Sequence, residues 1–185
     1  MGRVQRAVDG LVIVLITTKN PQILLITCSA LSDFLSLCQC VTSNIDENVL
    51  ELSKKNMQLM NADKLMHYVA GDAIAFCEQE KLAHDFIVLD AEGPKTGLEP
   101  DLLDKAIYYP MLKAATVDLA EDGTVLFHNI LLNNYLADSY FEHKIRDNFK
   151  QFEKLLMFIE SHFSTWSHYC STEGVGIARY KRVSS

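Results

Sequence analysis

The amino-acid sequence predicts an α/β fold: a seven-stranded, mostly parallel sheet that ends in an antiparallel hairpin, with helices on both faces. Apolar runs of strand length alternate with stretches of helical periodicity, which is typical of βαβ units that build a parallel sheet. The last two apolar runs are separated only by a few residues around Glu173 and Gly174. A connection this short joins antiparallel strands, because a parallel crossover needs a dozen or more residues.

The individual elements follow from the same periodicities. Strands are predicted at residues 22–28, 40–44, 65–69, 86–90, 124–128, 166–171 and 175–180. Helical spacing of apolar residues predicts a helix over residues 47–61, with Asp46 as its cap, and a second over residues 137–163. The sequence Glu121-Asp122-Gly123 predicts a turn before the fifth strand. With no linker, repeat or low-complexity tract, we expect one domain over residues 1–185.

Composition and charge limit the class of partner. The 185 residues, 49% of them hydrophobic, suffice for an ordinary core without a metal or disulfide staple. The net charge of -7 argues against nucleic acid and anionic membranes, which attract basic surfaces. The apolar run at residues 11–16 is too short to span a membrane. The five cysteines form no disulfide or zinc pattern, so we expect a cytoplasmic protein with a small-molecule or protein partner.

Four ordered segments resemble one enzyme family. They are VTSNIDENVLELSKKN at 41–56, Gly71-Asp72-Ala73, HDFIVLDAEG at 84–93, and the run from Gly123 through His128-Asn129 to Asp147 with the ending GVGIARYK. Their order and spacing resemble the caffeoyl-CoA and catechol O-methyltransferases, a cation-dependent group of class I methyltransferases that use S-adenosylmethionine. The resemblance covers roughly residues 22–182 and implies the Rossmann-like methyltransferase fold.

The resemblance also implies site residues and a reaction. S-adenosylmethionine contacts are implied at Thr27, Ser29, Asn44, Asp72, Ala73 and Asp90. A divalent cation, magnesium or another, is implied at Asp90, His128 and Asn129. Lys95 lies closest to the place of the family's catalytic lysine, where this chain has Gly93. The implied reaction is methyl transfer to a hydroxyl of a small acceptor, with the cation easing loss of the hydroxyl proton.

Departures from the family leave a second function open. At the first loop, Leu25 replaces an acidic residue, and Thr27 and Leu31 replace glycines, where family members bring backbone close to the cofactor. A catalytically inactive pseudo-methyltransferase, which keeps the fold as a binding or assembly module, is therefore the alternative. His128 replaces an aspartate, and imidazole suits zinc, manganese or iron better than magnesium. A homodimer is also open.

Each candidate residue also has a structural interpretation. Asp90 and Asn44 sit where loops begin after strands and are suited to capping. His128 is suited to a partly buried position with a backbone partner. Asp72 fits a turn after a strand, and Lys95 fits a solvated surface.

Overall fold

The computed structural model describes residues 11–17, 38–44, 46–59, 61, 63–79, 83–133, 139–171 and 173–181. The strands are β1 (Leu11–Thr17), β2 (Cys38–Asn44), β3 (Met66–Ala70), β4 (His84–Asp90), β5 (Leu119–His128), β6 (Phe163–Tyr169) and β7 (Val175–Tyr180). They lie in the order β3-β2-β1-β4-β5-β7-β6. Strands β1 to β5 are parallel, whereas β7 runs antiparallel to both β5 and β6. The Rossmann-like α/β class and the antiparallel hairpin are thereby confirmed.

The first strand differs from the prediction. The predicted strand at residues 22–28 lies outside the described residues, and its expected place in the sheet is taken by Leu11–Thr17. This strand pairs in parallel with β2 on one side and with β4 on the other. The placement of Leu25, Thr27 and Leu31 directly after the first strand therefore loses its basis. Thr27 and Ser29 both lie outside the described residues.

The described residues include four α-helices. They are α1 (Glu47–Leu59), α2 (Ala73–Gln79), α3 (Tyr108–Ala115) and α4 (Ser139–His162), with short 3-10 helices at Asp63–Leu65, Pro100–Leu102 and Asp104–Ile107. The two helices predicted from periodicity are confirmed as α1 and α4. Asp46 Oδ1 accepts the backbone N–H of Asn48 at 2.9 Å, as expected for a cap on α1.

The predicted turn at Glu121-Asp122-Gly123 becomes an irregularity within β5. His84 pairs with Leu119 and Phe86 pairs with Thr124, so six residues of β5 stand opposite three of β4. The extra residues bulge outward, and Asp122 has a φ of 66°. Beyond this bulge the strand continues regularly to its carboxyl end.

The core lies between the sheet and the helices α3 and α4. Phe127 of β5 is fully buried, as are Tyr108 of α3 and Phe152 of α4. The Tyr108 ring centroid lies 6.4 Å from that of Phe127 and 5.7 Å from that of Phe152. These contacts fix α3 and α4 against the sheet close to where β5 ends. Within the described ranges, no helix is both long and apolar enough to cross a membrane.

Candidate functional site

The carboxyl ends of the parallel strands bring the predicted polar residues to one edge of the sheet. β2 ends at Asn44, β4 at Asp90 and β5 at His128. Leu89 pairs with Phe127, so Asp90 and His128 are next in register on neighbouring strands. The strand order reverses between β1 and β4. In open α/β sheets this reversal is where ligands bind, so the edge is the candidate site.

Two carboxylates hold the imidazole of His128. Its Nδ1 lies 3.1 Å from Asp90 Oδ1, and its Nε2 lies 3.2 Å from Glu173 Oε2 in the β6–β7 connection. The pKa of His128 is raised, chiefly because Asp90 hydrogen-bonds the ring, and the charges of Asp90 and Glu173 add to this. Burial and the Lys105 cation lower that pKa but are outweighed. The arrangement therefore favours a charged imidazole between two carboxylates.

Lys105 and Tyr108 contact the main chain beside Asp90 and His128. Neither residue was among those predicted from the sequence. Lys105 Nζ donates to the carbonyl oxygen of Ala91 at 2.9 Å. Burial lowers the pKa of Lys105, although neighbouring carboxylates including Asp90 partly offset this. The Tyr108 hydroxyl donates to the main-chain oxygen of His128 at 2.6 Å. Both residues follow β4 in a segment that folds back on the site, so no local pattern marks them.

Two of the three implied metal positions already have protein partners. Asp90 and His128 are brought together, and Asn129 follows with a φ of 61°. A metal-bound imidazole must offer a lone pair, yet both nitrogens of His128 face carboxylate oxygens at hydrogen-bond distance. In the described part of the chain, no three His, Cys, Asp or Glu residues are grouped so as to hold a metal ion. We therefore assign no catalytic step to a cation.

Of the residues implied to contact a cofactor, Asn44, Asp72 and Ala73 lie along the same edge, where they have structural roles of their own. Asn44 is buried, and its Oδ1 accepts the N–H of Asp46 at 2.8 Å. Asp72 follows β3 and caps α2, since its Oδ1 accepts the N–H of Ile74 at 2.7 Å. Ala73 is the buried first residue of α2. The β2–β3 pairing, in register at Asn44 and Ala70, places Asn44 and Asp72 near one another.

Lys95 is held on the surface. Its side chain is 66% exposed and forms ion pairs with Glu92 and Asp104, the latter at 2.9 Å. Hydrogen bonds to Glu92 and Asp104 raise the pKa of Lys95, which makes it a poor proton acceptor near neutral pH.

Gly93 explains why the resemblance fails at this point of the chain. A Cβ on Gly93 would lie 1.9 Å from the carbonyl oxygen of Leu102. The backbone N–H of Gly93 also donates to the Asp104 carbonyl at 2.8 Å. A lysine at position 93 is therefore excluded by the close approach of these two backbone segments.

Comparison of the chain with protein families finds a matching family model. The family model described as "Spermine/spermidine synthase domain" matches residues 33–180. A search of curated proteins finds no significant match.

Solved structures share the fold at low sequence identity. The SAH-bound methyltransferase PaMTH1 of Podospora anserina is 15% identical, with a TM-score of 0.67 over 92% of this chain and 72% of that one. The O-methyltransferase TomG of Streptomyces achromogenes, solved with SAM, is 14% identical, with a TM-score of 0.58 over 94% and 74%. A Staphylococcus aureus protein named for its likeness to caffeoyl-CoA O-methyltransferase is 15% identical, with a TM-score of 0.64 over 92% and 76%. The resemblance drawn from the sequence is thus confirmed at the level of the fold.

Proposed function

Because the chain belongs to the spermine/spermidine synthase domain family, we propose that it binds an S-adenosyl nucleoside at the carboxyl edge and transfers a carbon group to a small acceptor. The first form of this proposal is methyl transfer from S-adenosylmethionine to a hydroxyl oxygen. Two solved structures with a similar fold support it: TomG is an O-methyltransferase solved with SAM, and PaMTH1 is a methyltransferase solved with SAH.

One observation carries the proposal: Asp90 and His128 are hydrogen-bonded at adjacent strand ends beside the reversal of strand order. Asn44 and Asp72 extend the same edge towards β2 and β3. We assign the ribose contact to Asn44 and the adenine contact to the Asp72-Ala73 segment. Asp90, which is 8% exposed, lies between these positions and His128.

The chemistry that this chain supplies is orientation and proton transfer. When bound, S-adenosylmethionine supplies an electrophilic methyl group on a sulfonium. The acceptor oxygen forms the new C–O bond as the C–S bond breaks. The neutral form of His128, populated above its raised pKa and with Nε2 released by Glu173, accepts the hydroxyl proton. Asp90 holds Nδ1, so the ring is oriented for this role. Glu173 is 53% exposed, so its carboxylate can move aside for the acceptor.

Calorimetry with S-adenosylhomocysteine and S-adenosylmethionine tests the binding step. We expect micromolar affinity without added metal and no change on addition of Mg²⁺. Asp90→Asn should weaken binding at least tenfold, because it removes the charge beside His128. The control is Asp122→Asn, which changes an exposed aspartate in the β5 bulge, away from the carboxyl edge. No binding at millimolar ligand would support the inactive alternative, and a requirement for Mg²⁺ would refute the ion-pair interpretation of His128.

Transfer of a labelled methyl group tests the reaction. Catechol serves as the hydroxyl probe and spermidine as the amine probe, the second because of the family match. The carboxylates of Asp90 and Glu173 around His128 also favour an amine, so methyl transfer to an amine nitrogen is the second candidate function. In either case His128→Gln should lower kcat and leave S-adenosylhomocysteine binding unchanged. Equal kcat in His128→Gln and in the wild type would exclude His128 as the proton acceptor.

A further inference from the structure

The connection that follows β4 returns to the site through Lys105. The Nζ of this residue donates to the carbonyl oxygen of Ala91 at 2.9 Å, and Ala91 comes directly after Asp90 and is fully buried. The backbone N–H of Lys105 donates to Gln151 Oε1 on α4 at 3.0 Å. A single residue therefore joins the carboxyl end of β4 to α4.

Tyr108, three residues further along the chain, anchors the neighbouring strand end. Its hydroxyl donates to the main-chain oxygen of His128 at 2.6 Å and also hydrogen-bonds the backbone of Ala91. The Nζ of Lys105 lies 5.4 Å from the centroid of the Tyr108 ring, within the range of a cation–π contact. The backbones that carry Asp90 and His128 are thus held by one short segment.

The amine of Lys105 lies among carboxylates. Burial lowers its pKa, whereas the charges of Asp90, Glu92 and Asp104 raise it. The Lys95 cation adds a smaller lowering effect. A hydrogen bond from an ammonium to a carbonyl is stronger than one from a neutral donor. A neutral side chain without a donor would therefore release the main-chain oxygen that Lys105 holds.

We propose that Lys105 is a positioning residue, which holds the end of β4 so that Asp90 keeps its hydrogen bond to the His128 ring. The inference rests on the proposed function, in which that ring must face the acceptor. In this role Lys105 transfers no proton and touches neither the cofactor nor the acceptor. Because a misplacement of about 1 Å in an active site costs about 100-fold in rate, we expect a loss of about tenfold or more when the anchor is removed.

Substitutions of Lys105 separate positioning from stability. Lys105→Met keeps a stem of similar length without donor or charge, and Lys105→Arg keeps both. With catechol or spermidine as the acceptor probe, Lys105→Met should lower kcat by about tenfold or more, with KM and S-adenosylhomocysteine affinity unchanged within about twofold. Lys105→Arg should recover most of kcat. Lys105→Gln is a second neutral variant, and it takes the place of Lys105→Met if that protein does not fold.

Lys154→Met is the matched control. Lys154 lies on α4 and forms an ion pair with Asp101, so it also ties the connection after β4 to α4, but through a residue at a distance in sequence from both strand ends. Its substitution removes one lysine charge, as Lys105→Met does. This variant should keep the kcat of the wild type.

A proton resonance gives a readout that needs no turnover. The Nδ1 proton of His128 faces Asp90 Oδ1 across 3.1 Å and should give a downfield signal in proton NMR, identified by its absence from His128→Gln. The signal should be lost or move upfield in Lys105→Met. It should persist unchanged in Lys154→Met.

The outcomes separate this inference from the proposed function. An unchanged kcat or an unchanged resonance in Lys105→Met overturns the inference and leaves the proposed function in place. An equal loss of kcat in Lys154→Met also overturns it, because any loosening of the connection would then suffice. A wild type that binds no S-adenosylhomocysteine and transfers no methyl group overturns the proposed function, and the resonance then decides whether Lys105 sets the contact between Asp90 and His128.

Discussion

Tyr108→Phe tests the link between helix α3 and the strand end that carries His128. The Tyr108 side chain is fully buried, and its hydroxyl donates to the His128 main-chain oxygen at 2.6 Å. Burial raises the pKa of Tyr108 well above its ordinary value, so the hydroxyl remains a donor at alkaline pH as well as at neutral pH. The substitution removes this donor together with the hydrogen bond between the hydroxyl and the Ala91 backbone.

The expected cost follows from what phenylalanine retains. Its ring keeps the contacts with Phe127 and Phe152, so no large cavity forms. The lost hydroxyl leaves the part-buried carbonyl of His128 and the backbone of Ala91 with one partner fewer each, which costs about 1–2 kcal/mol of unfolding free energy. For a domain of this size, Tm falls by roughly 2–4 °C per kcal/mol, so Tm should decrease by about 2–8 °C.

Urea unfolding followed by fluorescence measures this cost. The single tryptophan, Trp166, has its ring centroid 5.5 Å from that of Phe127 and reports on the same part of the core. The midpoint should fall without a change in slope. Tyr109→Phe on the same helix is the control, because no hydrogen bond is found for its hydroxyl in the described residues, and it should change stability by under about 0.5 kcal/mol. Equal stability of Tyr108→Phe and wild type, or a loss above about 3 kcal/mol, would refute the reasoning.

Three further predictions concern the core and its buried polar groups. Gly176→Ala puts a Cβ 2.3 Å from a ring atom of Trp166 and should lower the unfolding free energy by about 1–3 kcal/mol in the same urea titration. Gly97→Ala is the control and should be nearly neutral, because its Cβ would face the flexible tip of Leu103. Equal effects of the two substitutions would contradict this prediction. Burial lowers the pKa of His84 below 6.5, so the unfolded chain binds more protons and stability decreases as pH falls from about 6.5. His84→Gln should flatten this dependence of the urea midpoint between about pH 5 and 7, and an unchanged slope would count against it. Burial raises the pKa of Cys77 to about 11, so peptide mapping should show iodoacetamide labelling of Cys77 only as fast as the protein opens, not at the rate of a free thiol.

Local patterns sufficed for most of the fold because periodicity and pairing agree in the later part of the chain. The strand predicted at 175–180 matches β7, and the predicted 47–61 helix is observed as Glu47–Leu59. The strand predicted at 22–28 lies outside the described residues, and the position between β2 and β4 is held by Leu11–Thr17. Two apolar runs of strand length, at 11–17 and 22–28, compete near the start, and composition alone does not rank them. The run at 11–17 pairs with both β2 and β4. This pairing joins segments that are distant in sequence, so local patterns do not reveal it.

Only those site residues that lie at the ends of strands could be predicted from the sequence. Asp90 and His128 were found through a resemblance, and the parallel register explains why they meet. Glu173, the second carboxylate partner of His128, comes from the β6–β7 connection and has no local signal. The implied role of Lys95 assumed a suitable loop path. That path depends on the backbone approach between Gly93 and Leu102, which no side-chain pattern reveals.

The position of β7 has a consequence for biosynthesis. This strand lies inside the sheet, between β5 and β6, although it follows both of them in the chain. Until it is translated, β5 presents unpaired backbone groups that attract other strands, and nothing anchors Glu173 beside His128. A message that stops after Tyr169 would therefore yield an aggregation-prone chain rather than a slightly smaller protein, and chaperone contact during translation should concentrate on the exposed side of β5.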